Sequence, residues 1–86
     1  MPTLGRFYGI TVIARWNDHP PPHVHVGYQG HHASIRVDTL EIIHGHLPRR
    51  ARVLFVEWAL AHRDELREAC NAVARSERPP TIEPLD

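Results

Sequence analysis

The chain has no lysine: all ten of its basic residues are arginines. Genomic base composition accounts for such a bias. Its chemical consequence is that every fixed cation suits two-pronged contact with phosphate or carboxylate. There is one cysteine, Cys70, which excludes an intrachain disulfide and points to a reducing compartment. Net charge is zero with neutral histidines, which argues against strong, sequence-blind attraction to nucleic acid over the whole surface. No apolar run approaches ~18 residues, and the opening MPTLGRFYG lacks the apolar segment of a signal peptide. Neither a membrane span nor export is therefore expected, and the expected location is cytoplasmic. The 86 residues leave room for a single domain, 1–86, which buries roughly 60–65% of its unfolded surface. A core so thin gains from a metal, a partner or a second copy.

Histidine and proline are what the chain has in plenty, with eight of each. Histidine titrates near ~6.5, so the chain becomes cationic below about pH 6. Both residue types crowd into WNDHPPPHVHV, residues 16–26. Before it, YGITVIARW (8–16) alternates Ile10, Val12, Ala14 and Trp16 with Thr11, Ile13 and Arg15, the period of a half-buried strand. The prolines remove backbone donors and force extended geometry, so 17–22 reads as a stiff connection. HVHVGY (23–28) resumes the alternation, with His23 and His25 on one face and Val24 and Val26 on the other. Gln29-Gly30 signals a turn. Residues 32–38 alternate again, with Ala33, Ile35 and Val37 opposite Ser34 and Arg36. A short fourth strand is expected at 39–44.

The period then changes. From Pro48, suited to a helix's first turn, to about residue 75, Ala51, Phe55, Trp58, His62, Leu66, Ala69 and Val73 recur at spacings of three and four. Leu54, Ala61 and Cys70 widen that stripe. One helix of ~28 residues would be about 42 Å long, so it either bends near 62–64 or lends its second half to another protein. The Pro-rich tail, 77–86, is expected to be extended. The predicted fold is α+β: a small antiparallel sheet of three or four strands packed against one long or bent C-terminal helix.

Several readings of the histidines stay open. His23 and His25 lie on one strand face, about 6.6–6.8 Å apart along it, close enough to share a metal such as zinc or manganese. Asp18 or His19 folding back, or His62 from the helix, would complete the set. Alternatively the rings are half-exposed and bonded to backbone or water. Metal-free RNA cleavage needs a base, an acid and a cation on the phosphate. His19, His23 or His25 with Arg15, Arg36 or Arg49 supply them. Cys70, on the apolar stripe, is expected to be an inert thiol. Arg49, Arg50 and Arg52 stand where the helix macrodipole disfavours cations, and so point to a phosphate or an acidic partner. His44 and His46, beside Gly45, read as loop residues.

RFYGI (6–10), DH followed by PPHVHV (18–26), LP.R (47–50) and EW...HRDEL (57–66), in this order and spacing, resemble the small bacterial proteins of the DUF4160 family of unknown function. The resemblance spans roughly residues 1 to 85. The chain departs from the usual pattern in its extra proline at 20 and in His31 and His32. Members resemble one-domain genes found beside a second small family, an arrangement like a toxin–antitoxin module. The resemblance therefore implies a small partner protein encoded nearby, with RNA as a further target. The expected function is that of a cytoplasmic partner-binding protein. A metal-binding or hydrolytic domain using His19, His23 and His25 is one alternative. A homodimer joined through 63–75 is the other.

Overall fold

Tyr8 and Gly9 both have positive φ, at 49° and 78°. They form the two-residue turn that matches strand twist, joining Phe7 to its partner Ile10. What the sequence presents as one strand over 8–16 is thus a hairpin plus one shorter strand. In the computed structural model, which describes residues 2–16 and 20–86, five strands are followed by two helices. The strands are β1 (Thr3–Phe7), β2 (Ile10–Ile13), β3 (His23–Tyr28), β4 (His31–Arg36) and β5 (Ile42–Gly45). They pair antiparallel in sequence order, as a meander.

The fold class is α+β as expected, with five strands where three or four were predicted. β1 is the added strand. Its period of two is broken between Thr3 and Gly5, where the register slips by one residue, so Leu4 and Gly5 are both buried. β5 carries a similar irregularity. Ala33 and Ser34 face Gly45 and His44, whereas Ile35 faces Ile42, leaving Ile43 as the extra residue.

The single long helix is two: α1 (Arg49–Ala61) and α2 (Arg63–Ala74). Pro48 stands one residue before α1. At His62, φ −129° and ψ 30° leave helical geometry. The His62 amide donates to the Ala59 carbonyl at 3.2 Å, and the His62 carbonyl accepts from Leu66 at 2.9 Å. An unbroken helix of about 42 Å would outrun the molecule's longest dimension of 33 Å. The break instead returns Leu66, Ala69 and Val73 to the sheet. Asp64 and Glu65 in the first turn of α2 suit its positive end. The stripe is buried as read at Ala51, Phe55, Trp58, Leu66, Ala69 and Val73. Ala61 is exposed, and Ala59 and Ala72 are buried in its stead.

The core lies between the helices and one sheet face, made of Leu4, Phe7, Ile10, Val12, Val24, Val26, Ala33 and Ile35. Trp58 is its centre, with ring centroids 4.9 Å from Phe7 and 6.0 Å from Phe55. Gly5 lets Trp58 lie close, since a Cβ there would lie 3.0 Å from Trp58 Cζ2 and the ring would have to shift. The tail is extended, as predicted, and it also packs. Ile82 is 1% exposed, its amide donates to the Leu4 carbonyl at 2.8 Å, and Trp58 Nε1 donates to the Glu83 carbonyl at 2.7 Å. The tail thereby bonds the outer edge of β1 at Leu4. Trp16, predicted on the apolar face, is 39% exposed because the chain leaves β2 after Ile13.

Candidate functional site

Both helices follow the meander and pack on one face of the sheet. The opposite face is left to solvent among the described residues. Alternation decides what stands on it: Thr11 and Ile13 from β2, His23 and His25 from β3, His32, Ser34 and Arg36 from β4, and His44 from β5. Ile13, His25, Ser34 and His44 form one row across four strands. Ser34 Oγ and His25 Nδ1 lie 3.2 Å apart, which fixes that ring's plane. His23 and His25 meet edge to face with centroids 5.1 Å apart, and His23 Nδ1 is 2.9 Å from the Pro21 carbonyl.

An open groove of about 590 Å³ follows this row and is lined by Thr11, Ile13, Arg15, His25, Ser34 and His44 among others. Among the described residues no carboxylate lines it. Arg36, next to the groove, is engaged: Nε and Nη2 donate to Asp38 at 2.9 and 2.8 Å. That two-pronged hydrogen bond holds the Asp38 carboxyl below its ordinary value of 3.8. The brace therefore persists at neutral pH and is lost only as pH falls through this lowered value. A carboxyl-carbon NMR titration is expected to place the Asp38 midpoint below 3.8.

Of the residues singled out in the sequence, the structure brings Arg15 and His25 to the groove. It sets His23 against His25, lining a separate pocket with Pro20, Pro21 and Pro22, and ties Arg36 to Asp38. His62 belongs elsewhere. Its ring rests 5.7 Å from that of Trp58 in the helical layer and bonds Glu65 at 2.7 Å, with the sheet between it and His25. It therefore cannot complete a set with the strand histidines. Asp18 and His19 lie outside the described residues. Among the described residues no three His, Cys, Asp or Glu side chains converge as metal ligands. His44, at the end of the strand expected over 39–44 and also read as a loop residue beside Gly45, is in β5 and joins the row. Ser34, Thr11 and His32 were not singled out for function either. Their signal was the same alternation, extended to the polar positions.

A second surface lies on the helical side. Val53 and Leu60 on α1 are each 56% exposed. With half-buried Val56 they form a stripe that Arg49 and Arg52 flank, beside Glu57. Arg49, Arg50 and Arg52 are all exposed, and no acidic residue stands in the first turn of α1. The stripe adjoins β5, where Ile42 and Ile43 are exposed. Cys70 is half-buried.

These features define a one-sided α+β sandwich, with one sheet face covered by helices and the other carrying polar rings. Residues 9–70, more than half of the chain, match the family model described as "Domain of unknown function (DUF4160)", and the chain belongs to that family. Among curated proteins and solved structures nothing matches it. No helix among the described residues is long and apolar enough to cross a membrane.

Proposed function

We propose that this chain is a cytoplasmic partner-binding protein of a two-gene, toxin–antitoxin-like module, and that its partner docks on β5 and the outward stripe of α1. The supporting observation is the exposure of Val53 and Leu60 beside a strand with no outer neighbour among the described residues. An exposed edge accepts a further strand, and exposed apolar side chains at helical spacing accept an apolar face. Three exposed arginines that no acid in their own turn offsets ask for an acidic partner. The two-gene setting comes from the family resemblance.

The alternative of a dimer through 63–75 finds less support. The apolar side of α2 is spent on the core, and its outward side carries Asp64, Glu65, Arg67 and Glu68.

Co-expression with the product of the adjacent gene tests the reading. The two are expected to co-purify. Val53→Asp with Leu60→Asp should weaken the complex at least about tenfold, as loss of an apolar anchor does. The same double substitution should leave stability within about 1 kcal/mol, because both positions are exposed. A wild-type chain that leaves the neighbour behind overturns the proposal. A mass near twice 9.9 kDa for the chain alone, abolished by the same substitutions, would make the occupant a second copy.

A further inference from the structure

The surface proposed above for a partner is also complementary to itself. We infer that a second copy of this chain covers it when the partner is absent, through a two-fold that sets α1 against α1 and β5 against β5. Self-pairing deepens the partner reading and rests on it for its purpose: the docking surface stays masked until the neighbour displaces the copy.

The stripe on α1 is symmetric about the midpoint between Leu54 and Phe55. Val53 and Val56 lie equally far on either side of it, and so do Arg49 and Leu60. A closed pair needs such a patch, because a two-fold matches residue i with j and j with i. Laid antiparallel about that midpoint, Val53 of one copy meets Val56 of the other, and the aliphatic stem of Arg49 lies on Leu60. Charge fixes the direction. Arg50 and Glu57, about two turns apart, share the flank of α1 away from β5, whereas Arg52 lines a pocket with Ile42 on the flank toward it. Among the described residues neither Arg50 nor Glu57 forms an ion pair. In the antiparallel pair each Arg50 stands about 3 Å along the axis from Glu57 of the other copy, so opposite charges meet twice. The two Arg50 residues stand about 14 Å apart along it, beyond the roughly 8 Å screening length at physiological salt. A parallel pair would bring the arginine-rich ends together.

β5 falls under the same axis. Leu40, Glu41 and Ile42 lie beside Arg52, Phe55 and Val56, around the midpoint of α1. A two-fold through that midpoint and normal to the sheet turns β5 antiparallel to its copy, edge to edge, and keeps the helices of both copies on one side. β5 has no outer neighbour among the described residues, so its outward N–H and C=O groups gain strand partners. Exposed Ile42 and Ile43 lie at that junction. Glu41, beside it, shares its pocket with Arg52. One symmetry operation thus answers the bare edge, the apolar stripe and the unpaired charges together.

The test is sedimentation velocity of the full chain alone, from micromolar to millimolar protein. The mass is expected to rise with concentration to that of two chains and no further. Arg50→Glu and Glu57→Arg should each weaken self-association roughly tenfold or more, because each sets like charges opposite one another twice. Mixing the two variants restores opposite charge at both meetings, so the mixture should pair as tightly as the wild type. Arg50 and Glu57 are exposed, and circular dichroism should show both variants folded. Arg67→Glu, on α2, should pair as the wild type does. A chain that stays monomeric throughout overturns the inference. So does either variant pairing like the wild type, or a mixture that regains nothing. A neighbour that fails to bind would overturn the partner reading and leave these masses as they are, so the two fail separately.

Discussion

Gly45→Ala is expected to cost about 3 kcal/mol and to detach β5. Gly45 has φ +83°, and a Cβ built there would lie 2.1 Å from the His32 carbonyl oxygen and 3.0 Å from Ala33 Cα. These are backbone atoms of the neighbouring strand, so no side chain can swing aside. A left-handed conformation at a non-glycine residue costs roughly 1–2 kcal/mol. Overpacking against fixed atoms adds about 1–3 kcal/mol. For a domain of this size each kcal/mol lowers the melting temperature by about 4–8 °C, so a fall of roughly 12–24 °C should appear in a thermal scan. The loss is also local. The His46 amide bonds the His32 carbonyl at 3.0 Å, and that bond should open with the strand. Hydrogen exchange should show residues 42–46 losing protection before the β2–β3 pair does. Exchange that speeds uniformly across the sheet would count against this account.

Trp58→Ala is expected to cost about 3–5 kcal/mol, the range for truncating a buried aromatic. The total stability of small domains starts near 5 kcal/mol, so this variant should be largely unfolded in mild denaturant. Trp58→Phe isolates a subtler contribution. It keeps a ring against Phe7 and Phe55 and removes the Nε1 donor to the Glu83 carbonyl, at about 1 kcal/mol for the bond. Removing residues 78–86 takes away that same carbonyl together with buried Ile82. The two changes share one hydrogen bond and should not add: the double variant should fall short of the sum by about 1 kcal/mol. Urea unfolding of the four proteins measures this, and strict additivity would mean that the tail and Trp58 act separately.

Period two and period 3.6 carried most of the architecture. Val24 and Val26 against His23 and His25, and Ala33 and Ile35 against Ser34, are placed as the alternation requires. So is the stripe from Ala51 to Val73. Failures came where a local irregularity hid the period. β1 is broken at Leu4, so TLGRF shows no alternation. β5 is bulged at Ile43 and begins at Ile42, so the strand expected over 39–44 starts later than read, and His44, also read as a loop residue beside Gly45, is inside it. The hairpin at Tyr8-Gly9 lies within a β-rich run and was absorbed into it. The helix break at His62 has no glycine or proline to announce it; only the mismatch between helix length and domain size pointed there. The candidate site was half legible. Arg15 and His25 could be found from residue type, whereas Ser34 and His44 join them only through register between strands distant in sequence. His62 illustrates the converse error. Being on the apolar face of a helix put it near the sheet, but on the side away from the histidines.

The tail's bond to β1 has a further consequence. A sheet with two bare edges can add molecules at both ends and grow without limit. Here Ile82 occupies one edge by bonding to Leu4, while β5 stays bare among the described residues. Two copies that pair through β5 therefore use the edge that the tail does not touch. Shortening the tail would remove that bond and leave the Leu4 carbonyl open to an incoming strand.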